Sequence, residues 1–358
     1  MDARIMVMAG GTGGHVFPAL AVAEELKARG AEIFWLGVPD SFEARVVPEH
    51  GIEMEWVSIK GLRGKGLLGW ITLPFRLLRA MSQAGLVMLR REPALVLGMG
   101  GFVAGPGGLM ARLGGIPLVI HEQNAIPGMT NQYLARIATR VLEAFPGSFQ
   151  TGRRAEVTGN PVRSEIAAID EPGIRFAERD GRLRLLVLGG SLGAQALNET
   201  VPQALALIPE DVRPEVRHQA GSSKLEDAQV SYRNAGVDAQ VTSFISDMAE
   251  AYAWADLVIC RAGALTVAEL AAAGVGALLV PYPYAVDDHQ TQNAAYLADK
   301  GAALLLPQNE LTPEYLARQL EPMLEGRVLV RDMAEKSRAL ALPDATRRVA
   351  DICEEIVR

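Results

Sequence analysis

Two apolar runs, Ile5–Met8 and Leu183–Leu188, each break into a glycine-rich turn, and each turn opens a helix. The first turn reads "AGGTGGH", Ala9 to His15. The helix expected after it, Pro18 to Ala28, places Leu20, Ala23 and Leu26 on one face, with Glu24, Glu25 and Lys27 on another. The second turn reads "GGSLGA", Gly189 to Ala194, and a helical pattern follows over Gln195–Leu207. Strand, glycine turn and helix form the first half of a βαβ unit, which requires a parallel sheet covered by helices. The N–H groups at such a helix start point outward with partial positive charge, so an anion such as phosphate is favoured there. Two familiar loops are excluded for the first turn. No Lys-Ser or Lys-Thr follows the glycines, and Val16 stands where a dinucleotide fingerprint needs its third glycine.

Apolar runs and helical patterns alternate after each turn. Ile33–Gly37, Ala94–Gly98, Pro117–Ile120 and Arg140–Leu142 read as strands of the first half. Glu215–Gln219, Gln240–Thr242, Leu257–Cys260, Ala277–Val280 and Ala303–Leu305 read as strands of the second. The fold class is therefore α/β, with two Rossmann-like domains facing a central cleft and "GNPVRSEI", Gly159–Ile166, as a hinge. Ligands of open α/β sheets bind at the carboxyl ends of the strands, so the cleft is the expected site.

The chain of 358 residues is long for a single core, which also favours two domains. A net charge of −7 argues against general nucleic-acid binding. Cys260 and Cys353 offer neither a disulfide framework nor a zinc pattern, which suits a reducing compartment. The N-terminus runs directly into a strand without signal-peptide character. Glycines interrupt the longest uncharged stretch, Pro93–Ala111, so it reads as strand, loop and helix start rather than a membrane span. No D-x-D occurs and no His–carboxylate cluster has metal spacing, so neither a metal nor another cofactor is expected.

One segment departs from the acidic average. Lys60 to Arg91 holds Lys60, Arg63, Lys65, Arg76, Arg79, Arg90 and Arg91 and no acidic residue. Thr72 and Pro74 suit a helix start, with Leu67, Leu68, Trp70, Ile71, Phe75, Leu77 and Leu78 around it. An ordinary amphipathic helix with its apolar face in the core fits this pattern. So does a segment that docks on an anionic membrane surface.

Seven motifs occur in a fixed order: "GGTGGHVFPALA", "GMGGFVAGPGG", "HEQNAIPG", "GNPVR", "GGSLGA", "RAGALTVAE" and "DDHQTQNA". In that order and spacing the chain resembles, over essentially its whole length, the MurG family of N-acetylglucosaminyltransferases. The resemblance implies the GT-B fold, with residues 1–160 plus 343–358 as an acceptor- and membrane-facing domain and 161–342 as the UDP-sugar domain. It implies inverting transfer of N-acetylglucosamine from UDP-N-acetylglucosamine to the C4 hydroxyl of an undecaprenyl-pyrophosphoryl muramoyl-pentapeptide. It also implies a peripheral place on the cytoplasmic face of the bacterial inner membrane, with a cell-wall and division complex as partner.

The same resemblance distributes the site residues. The donor contacts it implies are Thr12, Gly13 and Gly14 in the first turn, Asn124, Arg163, Ser191, the backbone of Ile245, the helix start Ala264, Leu265, Thr266, Val267, Ala268 and Glu269, and Gln290. Glu269 would hold the ribose hydroxyls, although Thr266 and Glu269 also have the spacing of a capping box. "GGSLGA" would hold the diphosphate, or serve only as a tight packing turn. Arg163 would face the phosphates, or be a surface arginine in a linker. His15 is the expected general base, because imidazole titrates near physiological pH; a local hydrogen-bonding role is the alternative. His121 and Glu122 are further base candidates. A sugar-nucleotide epimerase of the same fold and a non-catalytic sugar-nucleotide sensor are the competing functions, and neither needs a membrane patch.

Overall fold

Every apolar run of the first half becomes a parallel strand, because residues alternating along it are buried on both faces. The computed structural model describes residues 3–59, 73–149, 155–190, 193–285 and 288–358. It divides into two compact units, Met1–Arg163 with Pro343–Arg358, and Ser164–Leu342.

The first unit runs β1 (Arg4–Met8), α1 (Gly13–Ala28), β2 (Glu32–Gly37), α2 (Phe42–Val46), β3 (Glu53–Trp56), α3 (Leu73–Arg91), β4 (Leu95–Gly98), α4 (Ala104–Leu113), β5 (Leu118–Glu122), α5 (Met129–Leu134), β6 (Arg140–Glu143) and β7 (Glu156–Val157). The second continues with α6 (Ser164–Ala167), α7 (Pro172–Ala177), β8 (Arg184–Leu188), α8 (Gln195–Ala206), β9 (Glu215–Gln219), α9 (Leu225–Ala235), β10 (Gln240–Thr242), α10 (Met248–Trp254), β11 (Leu257–Cys260), α11 (Ala264–Ala273), β12 (Gly276–Leu279), α12 (His289–Ala298), β13 (Ala303–Leu305), α13 (Pro313–Leu324) and α14 (Arg327–Ala339). A last helix, α15 (Ala345–Val357), belongs to the first unit.

Sheet order in the first unit is β3-β2-β1-β4-β5-β6-β7, and in the second β10-β9-β8-β11-β12-β13. Their strand pairs are parallel throughout. Along β1, Ile5 and Val7 join a core under α1 and α15, whereas Met6 and Met8 join one under α3, α4 and α5. That is the two-residue period of a strand buried on both faces. Leu185 and Val187 do the same for the second unit, under α8.

Helix α15 lays Val349, Ile352 and Cys353 into the core beside Leu20 and Ala23. Arg29 adds pairs to Asp351 at 2.6 Å and Glu354 at 3.1 Å. Burial dominates this docking: each large apolar side chain contributes about 1.5–3 kcal/mol, whereas a partly exposed ion pair is worth about 0–1.

The structure corrects several sequence readings. Helix α1 begins at Gly13, not Pro18. Pro18 lacks only the bond to the Gly14 carbonyl, still in the opening turn, so the helix runs through it. Strand β3 was not expected; its alternating charged residues suit an edge, and β2 supplies its partner. Strand β5 extends past Ile120 to include His121 and Glu122. Lys60, Arg63, Lys65, Leu67, Leu68, Trp70, Ile71 and Thr72 lie outside the described residues. In α3 the core face is Ala80, Ala84, Val87 and Met88, so Leu77 and Leu78 are exposed rather than core. No helix among the described residues is long and apolar enough to cross a membrane.

Candidate functional site

In each sheet the strand order reverses at one point, between β1 and β4 and between β8 and β11. Loops leaving such a pair diverge to opposite faces and open a crevice at the carboxyl end of the sheet. Both glycine turns of the sequence follow the first strand of such a pair.

In the first unit the loops after β1 and β4 touch backbone to backbone. Gly101 has φ +87°, and a Cβ there would sit 2.5 Å from the Gly10 carbonyl oxygen. A Cβ on Gly100 would meet the His15 ring at 2.6 Å, so that ring packs on the Gly100 backbone. Thr12, Gly13 and Gly14 are at the open start of α1. The turn is braced from below by residues no motif identified. Buried Glu43 accepts from the Gly11 N–H at 3.1 Å and the Val38 N–H at 3.3 Å. Trp35 Nε1 donates to the Ala9 carbonyl at 2.9 Å.

The first two residues of the "HEQN" segment, the alternative base candidates, are buried and hydrogen-bonded. His121 is fully buried, and desolvation takes its pKa down to about 4. Its Nε2 lies 2.9 Å from the Gly159 carbonyl, which can only accept, so Nε2 carries the proton and Nδ1 takes the Gln123 amide at 3.3 Å. Glu122 is also buried and accepts from the Asn124 N–H and side chain, the Gly128 N–H and the Asn131 side chain. Both lie within a buried strand with their polar atoms engaged in these bonds. Asn124, which Glu122 holds, sits at the carboxyl end of β5 beside β4.

In the second unit, Ser191 lies outside the described residues. Gly190 on one side of it donates to and accepts from the Gln219 side chain at 3.0 and 3.1 Å. On the other side, Lys224 Nζ donates to the Gly193 carbonyl at 3.0 Å. Helix α11 starts the second loop of the crevice. Its N-cap is Gly263, without a side-chain cap bond. Thr266 is therefore inside the helix, and the capping-box reading of Thr266 and Glu269 is wrong. Glu269 is buried and accepts from the Tyr252 hydroxyl at 3.1 Å. Ala264 and Val267 face the core, whereas Leu265, Thr266 and Ala268 are partly exposed along the same start. Buried Asn293 donates to the Ala262 carbonyl at 3.2 Å and ties α12 to this loop.

Ile245 is in the loop after β10, beside Phe244, which is 66% exposed. Gln290 opens α12, and its Oε1 accepts from the Tyr282 N–H at 2.9 Å. Thr12, Gly13, Gly14, His15, Asn124 and Arg163 thus belong to the first unit, and Ser191, Ile245, Ala264 to Glu269 and Gln290 to the second. Burial pushes the Cys260 and Cys353 thiols up to about 12, so neither is a nucleophile.

Comparison with known proteins assigns the two halves separately. Residues 5–143 match the glycosyltransferase family 28 N-terminal domain and residues 184–355 its C-terminal domain. The crystal structure of MurG from Acinetobacter baumannii is similar, with a TM-score of 0.86 and 45% identity, covering 99% of this chain and 100% of that one. The calicheamicin glycosyltransferase CalG4, at 18% identity and a TM-score of 0.72 over 100% of this chain and 98% of that one, shares the fold, which is GT-B. A Nitrosococcus oceani protein named UDP-N-acetylglucosamine--N-acetylmuramyl-(pentapeptide) pyrophosphoryl-undecaprenol N-acetylglucosamine transferase is 58% identical over 356 residues, 99% of each chain. A Dechloromonas aromatica protein of the same name is 55% identical over an aligned length of 359, covering 100% of each chain. With both domain models matched in order, and relatives this similar from end to end, the chain belongs to the MurG family of glycosyltransferases.

Proposed function

We propose that this chain transfers N-acetylglucosamine from UDP-N-acetylglucosamine to a hydroxyl of a lipid-linked muramoyl-peptide acceptor, with inversion at the sugar C1. The observation that carries the reading is the placement of both glycine turns at the two points where strand order reverses. The full-length relatives' printed name supports the choice of substrates. In the second unit, the start of α11 offers backbone N–H groups to the diphosphate, and the glycine turn before α8, whose Gly189 and Gly190 N–H groups are held by Gln219, forms the loop beside it. Glu269 takes the ribose, the Ile245 backbone the base, and Gln290 the sugar.

The acceptor oxygen attacks C1, the C1–O bond to the β-phosphate breaks, and the electron pair leaves with UDP. The oriented N–H groups stabilise that negative charge as it develops. His15 takes the proton of the attacking hydroxyl, a role favoured by the burial of His121 and the commitment of Glu122. The experiment is direct: UDP-N-acetylglucosamine is incubated with and without a muramoyl-peptide lipid. UDP and a disaccharide product should form only with the acceptor. A 2-epimerised sugar nucleotide formed without acceptor would favour an epimerase, and binding without turnover a sensor.

The acceptor's lipid implies a membrane surface, and α3 suits it. Phe75, Leu78, Leu86 and Leu89 are exposed, with Arg76 and Arg79 exposed among them. Arg90 and Arg91 do not contribute, because they pair with Glu55 and Glu53. Each basic side chain near an anionic leaflet adds about 1 kcal/mol, and each inserted large apolar side chain about 1.5–3. Anionic vesicles should therefore sediment the protein, less so in high salt and in Arg76→Glu/Arg79→Glu, while a short-chain soluble acceptor is still used. Undiminished sedimentation of the double variant would remove α3 as the docking face.

A further inference from the structure

The Gln219 carboxamide, at the carboxyl end of β9, makes three hydrogen bonds although it is 5% exposed. Its Oε1 accepts from the Gly190 N–H at 3.0 Å. Its Nε2 donates to the Gly190 carbonyl and to the Ser243 carbonyl, both at 3.1 Å. One neutral side chain therefore spans two loops. The first is the glycine turn read above as the diphosphate loop. The second begins at Ser243 and continues through Phe244 and Ile245, read above as the nucleobase loop.

The main chain around Gln219 has the same double attachment. Its carbonyl accepts from the Gly189 N–H at 2.9 Å, and the next N–H, of Ala220, donates to the Thr242 carbonyl at 2.9 Å. Gly193 has φ +68° and backs onto Ala220 so closely that a Cβ would lie 2.1 Å from the Ala220 carbonyl oxygen. The preceding residue fixes this tripeptide to the helices behind it. Asn198 Nδ2 donates to the Ala220 carbonyl at 3.1 Å, so its Oδ1 accepts from His218 Nε2 at 3.0 Å. His218 Nδ1 then accepts from the Tyr232 hydroxyl at 2.9 Å. Each group in this chain is satisfied, which leaves His218 neutral and the β9 end in one position.

We infer that Gln219 is a positioning residue that sets the spacing between the diphosphate loop and the nucleobase loop, so that one nucleotide meets both at once. A ligand that touches only one loop does not need that spacing; a ligand that bridges them does. The inference rests on the donor assignment of the second unit proposed above.

The test compares uridine with UDP, by calorimetry, on the wild-type chain and on Gln219→Met, which keeps the volume and removes all three bonds. The factor by which UDP outbinds uridine should fall at least about tenfold in the variant, or about 1.4 kcal/mol. Uridine itself should shift little, and donor KM should rise with the UDP Kd. Because a misfolded fraction lowers the number of sites for both ligands, this factor reads the folded molecules alone. Gln219→Asn, too short to span both loops, gives the same reading if the methionine variant does not fold. An unchanged UDP-to-uridine factor in the folded variant, or equal weakening of both ligands, overturns the inference. A wild-type chain that binds neither ligand overturns the donor assignment itself.

Discussion

Replacing Glu122 by glutamine separates a brace from a base. Its two carboxylate oxygens receive four donors: the Asn124 N–H at 2.9 Å and Asn124 Nδ2 at 3.1 Å on one, the Gly128 N–H at 3.1 Å and Asn131 Nδ2 at 2.9 Å on the other. An amide nitrogen in place of either oxygen faces two of them. The side chains of Asn124 or Asn131 can flip to offer an oxygen, but a backbone N–H, of Asn124 or of Gly128, cannot. A buried donor left without an acceptor costs about 1–3 kcal/mol, and the remaining bonds lose their charge assistance, for a total of about 2–5. With a urea m-value of about 2 kcal/mol/M, the midpoint of the first unit should fall by about 1–2.5 M. Hydrogen exchange over Leu118–Leu134 during urea unfolding reports that unit. Donor KM should rise because Asn124 loosens, while kcat at saturating donor stays within a few-fold. A kcat drop of about 10²–10⁴ with an unchanged midpoint would mean that Glu122 is the base and that the bracing argument fails.

His15→Ala should lower kcat by about 10²–10⁴ with little change in donor KM, and normal turnover across pH would remove His15 from the chemistry. Glu269→Ala should raise donor KM far more than acceptor KM. Tyr252→Phe, which removes only the hydroxyl that Glu269 accepts from, should raise it less; equal effects would make Glu269 a structural partner of Tyr252. Stability should also depend on pH. Burial lowers the pKa of His121 to about 4 and of His218 to about 3, from 6.5 unfolded, so the unfolded chain binds more protons as pH falls. The stabilisation is complete above pH 6.5 and is lost below it, by about 2 kcal/mol in each unit on reaching pH 5. Urea midpoints that stay level from pH 7 to 5 would contradict neutral buried imidazoles.

Most strands and both glycine turns were legible because each is a local pattern: an apolar run of fixed period, then residues that permit a tight turn. Helix starts were less so, since α1 begins at Gly13 rather than Pro18. Polar residues were harder, because their roles depend on partners distant in sequence. Glu43 reaches Gly11 across 32 residues and Gln219 reaches Gly190 across 29, and nothing local marks either. His121 and Glu122 looked like chemistry because they follow an apolar run, yet the strand continues through them and turns both into supports. Thr266 and Glu269 had capping-box spacing, but the helix starts one residue after Gly263, so the spacing falls inside it.

The supports themselves separate the two units chemically. In the first, a carboxylate holds the turn, with Glu43 on the Gly11 N–H. Each brace occupies one backbone N–H, but a carboxylate also opposes the approach of an anion. In the second, the equivalent work at Gly190 falls to an uncharged amide, and the cation of Lys224 sits on Gly193. A turn that must receive a diphosphate cannot be braced by a carboxylate without weakening the ligand, whereas glutamine fixes the same backbone at no electrostatic cost. The choice of brace thus favours the second unit as the diphosphate site, and leaves the first turn, with His15 at the start of α1, better suited to a hydroxyl that gives up a proton.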